Sequence, residues 1–299
     1  MTVDKIYFEI AGISIEVVSD LPILPTTFGK RFESFRIDRP GNDRVTLHHH
    51  FSLPDRLPFK LSKEVYRKRP WAIFKEEGKW IYGEIVSRKG NDSYNRWAVF
   101  NNDYSRSDFY HDETTQSHYL EGGLTSLTLL PTDQILFSQI LPARKGCYLH
   151  SAGAIINGKG YIFAGHSGAG KSTITQMLHH NAEILCDDRT IIRKWNDDYF
   201  VHGTWSHGDV PDVSSTSARL EGILFLHQAD ENRIVPVPNR AEALKRILSC
   251  LIKPFVTASW WDDVLNLVED MVKQVACFDL YFDKSGKIGE LIEKLADKR

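Results

Sequence analysis

Long hydrophobic runs are missing from this 299-residue chain: none approaches the roughly 18 residues a membrane-crossing helix requires. The first residues, from Met1 to Lys5, show no basic segment followed by an apolar stretch, so no export signal is expected. Cysteine is scarce. Cys147, Cys186, Cys250 and Cys277 stand far apart and in no metal-ligand spacing, which reads as buried or free thiols. An excess of one charge is also absent: 37 Lys and Arg oppose 39 Asp and Glu, for a formal net charge of −2. That balance argues against a broad nucleic-acid or anionic-membrane surface. Neither internal repeats nor low-complexity segments occur. A cytoplasmic globular protein with no nucleic-acid or membrane partner is expected, and the length favours two domains.

The chain changes character along its length. Residues 1–130 read as a β-rich domain. Ile6–Ile10 and Ile13–Val18 flank Ala11-Gly12 as in a tight hairpin, and Trp71–Phe74 and Trp80–Ile85 flank Glu76-Glu-Gly-Lys79 in the same way. Trp97–Phe100 adds a strand closed by Asn101-Asn-Asp103. A helical pattern runs through Ile135, Leu136, Ile140 and Leu141, with Thr132 or Asp133 as its cap and the boundary near Thr125–Pro131. Residues 131–299 then read as α/β. Ala152–Ile156 and Tyr161–Ala164 flank Asn157-Gly158-Lys159-Gly160, and Asn-Gly is the strongest short hairpin signal. Further strand-like runs are Ile184–Cys186, Thr190–Ile192, Tyr199–Val201 and Gly222–Leu226; the last quarter reads as helical, over Ala241–Leu251, Asp262–Val272 and Ile288–Leu295.

One segment carries most of the chemical information. Gly165, His166, Ser167, Gly168, Ala169, Gly170, Lys171, Ser172 and Thr173 follow the strand Tyr161–Ala164 directly and open a helix-forming stretch. They match G-x-x-x-x-G-K-[ST] at every fixed position and in the strand–loop–helix context that pattern requires. Glycines let successive amides turn inward as an anion nest at a helix start. Lys171 is spaced to reach β- and γ-phosphates, and the Ser172 hydroxyl to ligate Mg²⁺. ATP with Mg²⁺ is the expected cofactor.

Asp187-Asp188 closes the strand Glu183–Cys186, at the strand end where ligands of α/β sheets gather. One carboxylate suits a metal and the other a proton from an attacking hydroxyl. His150, ending Gly146–His150, is placed to carry charge or steer a carboxylate. The loop from His202 to Asp209 is dense in polar groups, and Arg219 is a candidate to neutralise charge on a transferred phosphoryl group. Blander features are His48-His49-His50, for which a metal tract is the alternative but alternation with Val45 and Leu47 favours an exposed strand end; the basic stretch Lys63–Arg69, read as a solvated face rather than a binding patch; and Trp260-Trp261, read as helix-to-sheet packing with stacking on a base as the alternative.

The string from His150 to Gly165, the glycine loop and Ile184–Asp188 together resemble the HPr kinase/phosphorylase catalytic domain of the ATP-dependent PEP carboxykinase superfamily. The likeness covers residues 146–230 and is specific across 150–192. It implies a mixed-sheet α/β P-loop domain with an antiparallel hairpin before the loop. It also implies Asp187 as base, Asp188 assisting with metal, His150 tuning the pair, and loop amides with Lys171 on the phosphates. Trp205–Asp209 is similar to a Trp-x-Gly-acidic loop of divergent relatives, which makes Asp209 a metal-ligand candidate. The N-terminal half does not resemble the HPr kinase regulatory domain, which points away from HPr as substrate. Divergent relatives are similar to kinases that phosphorylate a serine in precursor peptides, and family members form closed oligomers, so a homo-oligomer is implied.

The expectation is therefore a serine phosphotransferase acting on a protein or peptide, with the N-terminal half as a recognition module. A small-molecule kinase on the same fold and a non-catalytic nucleotide-binding module are the alternatives. A transporter or motor ATPase is disfavoured, because neither a Leu-Ser-Gly-Gly-type helix nor a later strand ending in Asp-Glu is present.

Overall fold

Apolar residues alternating along residues 4–19 fold into a hairpin, β1 (Asp4–Ile10) against β2 (Ile13–Ser19), paired from Asp4↔Ser19 to Ile10↔Ile13. The computed structural model describes residues 4–52, 63–76, 78–88, 91–130, 133–253 and 255–297. These fall into two compact units, Met1–Leu136 and Phe137–Arg299. Both are built around a large mixed sheet.

In the first unit β1 and β2 are joined by β3 (Arg36–Ile37), β4 (Arg44–His50), β5 (Glu64–Lys68), β6 (Trp71–Glu76), β7 (Lys79–Arg88), β8 (Asn91–Asn101) and β9 (Arg106–Tyr110). The sheet order is β3-β1-β2-β4-β9-β8-β7-β6-β5. β4 runs parallel to both β2 and β9, whereas the other pairs are antiparallel. Alternation sends Val45, Leu47 and His49 of β4 into the core and leaves Thr46, His48 and His50 on the other face. The expected exposed histidine end is thus corrected: His49 is 1% exposed. A helix within the β-rich half, α1 (Glu113–Glu121), escaped the sequence reading. Asp112 caps it by accepting from the Thr115 amide at 2.9 Å.

Asp133 closes a loop by accepting from Ser126 Oγ, Leu127 N and Thr128 N at 2.9–3.1 Å. The helix α2 (Gln134–Ile140) follows it. Thr132, the alternative cap, lies outside the described residues, as does Glu77 of the hairpin at 76–79.

The second unit contains β10 (Gly146–Leu149), β11 (Ser151–Ile156), β12 (Lys159–Ala164), α3 (Lys171–Leu178), β13 (Glu183–Cys186), β14 (Thr190–Trp195), β15 (Asp198–His202), β16 (Ser217–Gln228), β17 (Arg233–Pro236), α4 (Arg240–Cys250), α5 (Ala258–Gln274), β18 (Ala276–Phe282) and α6 (Ile288–Asp297). The strands run β10-β14-β15-β16-β12-β11-β13, and β18 adds to β16. β11 and β12 form the expected antiparallel hairpin, Ile156↔Lys159, with Asn157 at φ 51° and Gly158 at φ 76°. Two successive positive φ values make the turn whose twist suits a two-residue hairpin.

Both faces of this sheet are covered. Ile162 and Ala164 of β12, with Ile223 and Phe225 of β16, pack on Ile247 of α4 and Trp260, Val264 and Met271 of α5. Tyr161 and Phe163 point the other way, toward Ile174 and Leu178 of α3 and Ile288 and Ile292 of α6. Trp260 takes the helix-to-sheet role expected of it, its indole donating to the Ser138 carbonyl at 2.6 Å. The reading of the last quarter as helical is corrected by β18. That strand lies parallel to β16 from Gly222↔Ala276 to Gln228↔Phe282, and the connection supplies the long crossover a parallel pair needs. Among the described residues, no helix is long and apolar enough to cross a membrane.

Candidate active site

Sheet register decides what meets at the carboxyl edge of β12. Ser151 pairs with Ala164, so His150, one residue before β11, comes level with Gly165. Gly153 pairs with Cys186 on β13, which brings Asp187 and Asp188 to the same edge from the far side of β11. β16 runs parallel to β12 with Ala164↔Phe225, so Gln228 arrives there too. Its amide donates to the Gly168 carbonyl at 2.9 Å and braces the glycine loop.

Gly168 and Gly170 both take positive φ, 82° and 103°. At Gly170, the residue preceding α3, a Cβ would also lie 2.7 Å from the Phe282 ring, so glycine is required twice over. The first α-helical bond of α3 runs from Ile174 N to Gly170 O at 2.9 Å, which leaves the Lys171, Ser172 and Thr173 amides without intrahelical partners. Lys171 is buried, and its ammonium caps the Gly165 and His166 carbonyls at 3.0 and 3.2 Å. Burial pushes its pKa down from the ordinary lysine value.

The two carboxylates differ in surroundings. Asp187 is 1% exposed and accepts from Ser172 Oγ at 2.9 Å, from Val210 N at 3.0 Å and from Gly208 N. Asp188 is more open. Its Oδ2 pairs with Arg189 at 2.5 Å and accepts from Ser206 Oγ at 3.0 Å, while its Oδ1 faces His150 Nε2 at 3.9 Å. Burial, reinforced by the Lys171 charge, lowers the His150 pKa and favours the neutral imidazole. An anion-receptive helix start therefore sits beside two acidic groups, Asp187 buried and already accepting from three donors, Asp188 less buried and with the more distant His150 facing its Oδ1.

Of the residues singled out in the sequence, Lys171, Ser172, Asp187, Asp188 and His150 share this edge. Arg219 does not. It lies on β16 one residue before Leu220, the partner of Gly160, and the length of β12 between Gly160 and the loop puts it at least roughly 17 Å away. It is bound there to Asp198 at 2.8 Å and approaches Glu221 at 3.7 Å, largely in solvent. Asp209 is exposed. The amides of Gly208 and Val210 on either side of it hold Asp187, so the backbone of that loop reaches the site.

Besides Gln228, which braces the loop, three participants were missed. Arg189 and Ser206 form a closed set with Asp188, Arg189 Nη1 donating to Ser206 Oγ at 2.6 Å. Adjacency to the acidic couplet was the available signal for Arg189. Cys250 ends α4 against the loop: its carbonyl accepts from the His150 amide at 2.8 Å, and its thiol contacts the Gly165 amide near Lys171. Nothing local in the last quarter announces that role.

A family model described as SynChlorMet cassette protein ScmC matches residues 134–297, more than half of the chain and all of the elements just described from β10 onward. The chain belongs to that family. The ScmC match spans the whole candidate site, from His150 to Cys250. No curated protein matches the sequence. Among solved structures, the Hpr(Ser) kinase/phosphatase from Coxiella burnetii is similar over 50% of this chain and 88% of that one, with 11% sequence identity and a TM-score of 0.29.

Proposed function

We propose that this ScmC-family protein is an ATP–Mg²⁺-dependent phosphotransferase that phosphorylates a serine hydroxyl of a protein or peptide. The observation that carries the reading is the 2.9 Å bond from Ser172, on the glycine loop, to the buried carboxylate of Asp187. A loop hydroxyl and a strand-end Asp held side by side are the pair that phosphate-loop enzymes use for Mg²⁺. The open amides of Lys171 to Thr173 and the positive-φ glycines suit a polyphosphate, and Lys171 supplies a cation that is already desolvated.

When bound, the nucleotide supplies the electrophilic phosphoryl group. The chain's own part is positioning and proton handling. Ser172 and Asp187 would hold the metal, and Lys171 exchanges its carbonyl contacts for phosphate oxygens. The resemblance had given the base to Asp187 and the metal to Asp188. Three donors already on Asp187, against the freer Oδ1 of Asp188, support the reverse assignment. Asp188 then takes the serine proton on Oδ1, Arg189 and Ser206 orient its other oxygen, and neutral His150 stands next to the new carboxylic acid.

The family is described as a cassette protein, which makes a co-encoded peptide or protein the first acceptor to test. Full-length protein incubated with ATP–Mg²⁺ and that acceptor should add one phosphoryl group to a serine, read as a mass shift. Retention of tight ATP binding by Lys171→Ala would remove the basis of the reading. Tight ATP binding by the wild type with no phosphorylation of any acceptor would favour a nucleotide-sensing module.

A further inference from the structure

We propose that the N-terminal unit carries a second, separate metal site: a divalent first-row transition ion, of the zinc class, held by Asp20, His48 and His50. The three come from adjacent parallel strands. Asp20 directly follows β2, His48 and His50 lie two apart on β4, and Val18↔His48 sets their level. Period-two alternation puts both imidazoles on the same face, with Thr46. One donor atom from each of the three lies within 4.8 Å of the others. Among the described residues, this is where three metal-capable side chains converge.

The arrangement is tighter than a chance surface grouping. Asp20 bridges the imidazoles, its Oδ1 meeting His48 Nε2 at 2.8 Å and its Oδ2 meeting His50 Nδ1 at 2.9 Å. The rings lie 3.9 Å apart. Those two nitrogens and a carboxylate oxygen are a two-His, one-carboxylate set, as found at zinc and other first-row metals. Zinc bonds of about 2.0–2.1 Å place tetrahedral donors roughly 3.4 Å apart, so small side-chain rotations suffice to close them on an ion.

A second observation points the same way. The nitrogen of His50 that faces away from Asp20, Nε2, meets Asp108 Oδ1 at 3.1 Å. Metal-bound histidines characteristically give their other N–H to a carboxylate, which fixes the tautomer and the ring plane. Asp108 reaches this position because β9 runs parallel to β4 with His48↔Asp108. Tyr110, two residues on, stacks on the His50 ring at 4.9 Å and 17°. His50 is thus oriented from two sides by groups that need not bind the ion. All four polar residues retain partial exposure, from 22% for the His50 side chain to 42% for Asp20. That exposure gives an ion an entry path and leaves a coordination position for water or a ligand. The opening adjoins a cavity of about 510 Å³ with a mixed polar and apolar wall that includes Glu16, Val18, Arg44, His48, Arg106 and Ser107.

The test is a titration of chelator-stripped, nucleotide-free full-length protein with Co²⁺ and Zn²⁺. Co²⁺ reports tetrahedral coordination through its visible d–d absorption, and Zn²⁺ competition gives stoichiometry and affinity. One tight site is expected, lost in His48→Ala/His50→Ala and in Asp20→Asn. Asp108→Asn should keep the site and weaken it about 10- to 100-fold. Circular dichroism of each variant checks that the sheet survives, and Asp20→Asn preserves shape if the double variant does not fold. Absence of a tight ion in the wild type, or unchanged affinity in Asp20→Asn and the histidine variants, overturns the proposal. The outcome is independent of phosphotransfer, because Lys171 and Asp187 are untouched.

Discussion

Asp187 and Asp188 are adjacent in sequence, and their side chains ask for different tests. Both Asp187 oxygens accept backbone amides, from Gly208 and Val210. Asp187→Asn would turn an NH₂ toward one of those donors and leave it unpaired in a buried place. A loss of about 1–3 kcal/mol is expected, a drop of several degrees in melting temperature for a unit of this size. Asp188→Asn changes a less buried group that keeps an oxygen for Ser206, so its thermal loss should be smaller than that of Asp187→Asn while turnover falls about 10²–10⁴-fold. Melting curves and single-turnover rates on the two variants check the division of labour. Equal thermal losses, or full activity in Asp188→Asn, would contradict it. Lys171→Ala acts on another variable. Removing a preorganised cation should cost about 10²–10³-fold in turnover together with nucleotide affinity, read by calorimetry with a non-hydrolysable ATP mimic.

At the scale of elements, the glycine loop depends on Gly170 for its shape. Alanine there meets both a φ of 103° and the Phe282 ring at 2.7 Å. The strain, about 1–3 kcal/mol, falls on the loop, where β12, α3 and β18 meet. Gly170→Ala should therefore lower nucleotide affinity at least tenfold with modest loss of stability; unchanged affinity would show that the loop is not the binding element. Elements whose cause is local were the legible ones. Asn157-Gly158 specified its hairpin through two positive-φ residues, and the loop and couplet were visible because their spacing in the chain carries the chemistry. β18 was not legible between two helices. Its strand character comes from pairing with β16, a partner about fifty positions away, and a short apolar run does not by itself separate strand from helix. His49 was misread because alternation with Val45 and Leu47 was applied to the three histidines as one block, whereas the same period-two pattern puts His49 on the buried face and only His48 and His50 on the other. The distance of Arg219 from the site followed only from register with β12.

Across the whole molecule, buried imidazoles make both units sensitive to acid. Burial lowers His49, in the first unit, to about 3 and His202, in the second, to about 4, from 6.5 in an unfolded chain. His111, within 2.9 Å of His49, is pushed well below 6.5, and His150 is also lowered. Between pH 6.5 and these depressed values the unfolded chain binds protons that the folded one refuses. Stability is therefore intact above about pH 6.5 and is lost as pH falls toward 4 and below. His50 works in the opposite sense, because Asp108 and Asp20 raise its pKa and the folded state takes that proton first. One raised imidazole opposes two strongly lowered ones in the first unit, so the balance there is still destabilising. His49 and His202 each contribute about 2 kcal/mol of lost stability between pH 6.5 and 5. His202 accepts from the half-exposed Trp195 indole at 3.3 Å, and water can replace that contact. His202→Leu should accordingly reduce the pH dependence of the second unit and leave that of the first unchanged. Urea unfolding at pH 7.5 and 5.0, followed by hydrogen exchange so that each unit is read separately, provides the measurement; equal midpoints at the two pH values would refute the buried-imidazole account.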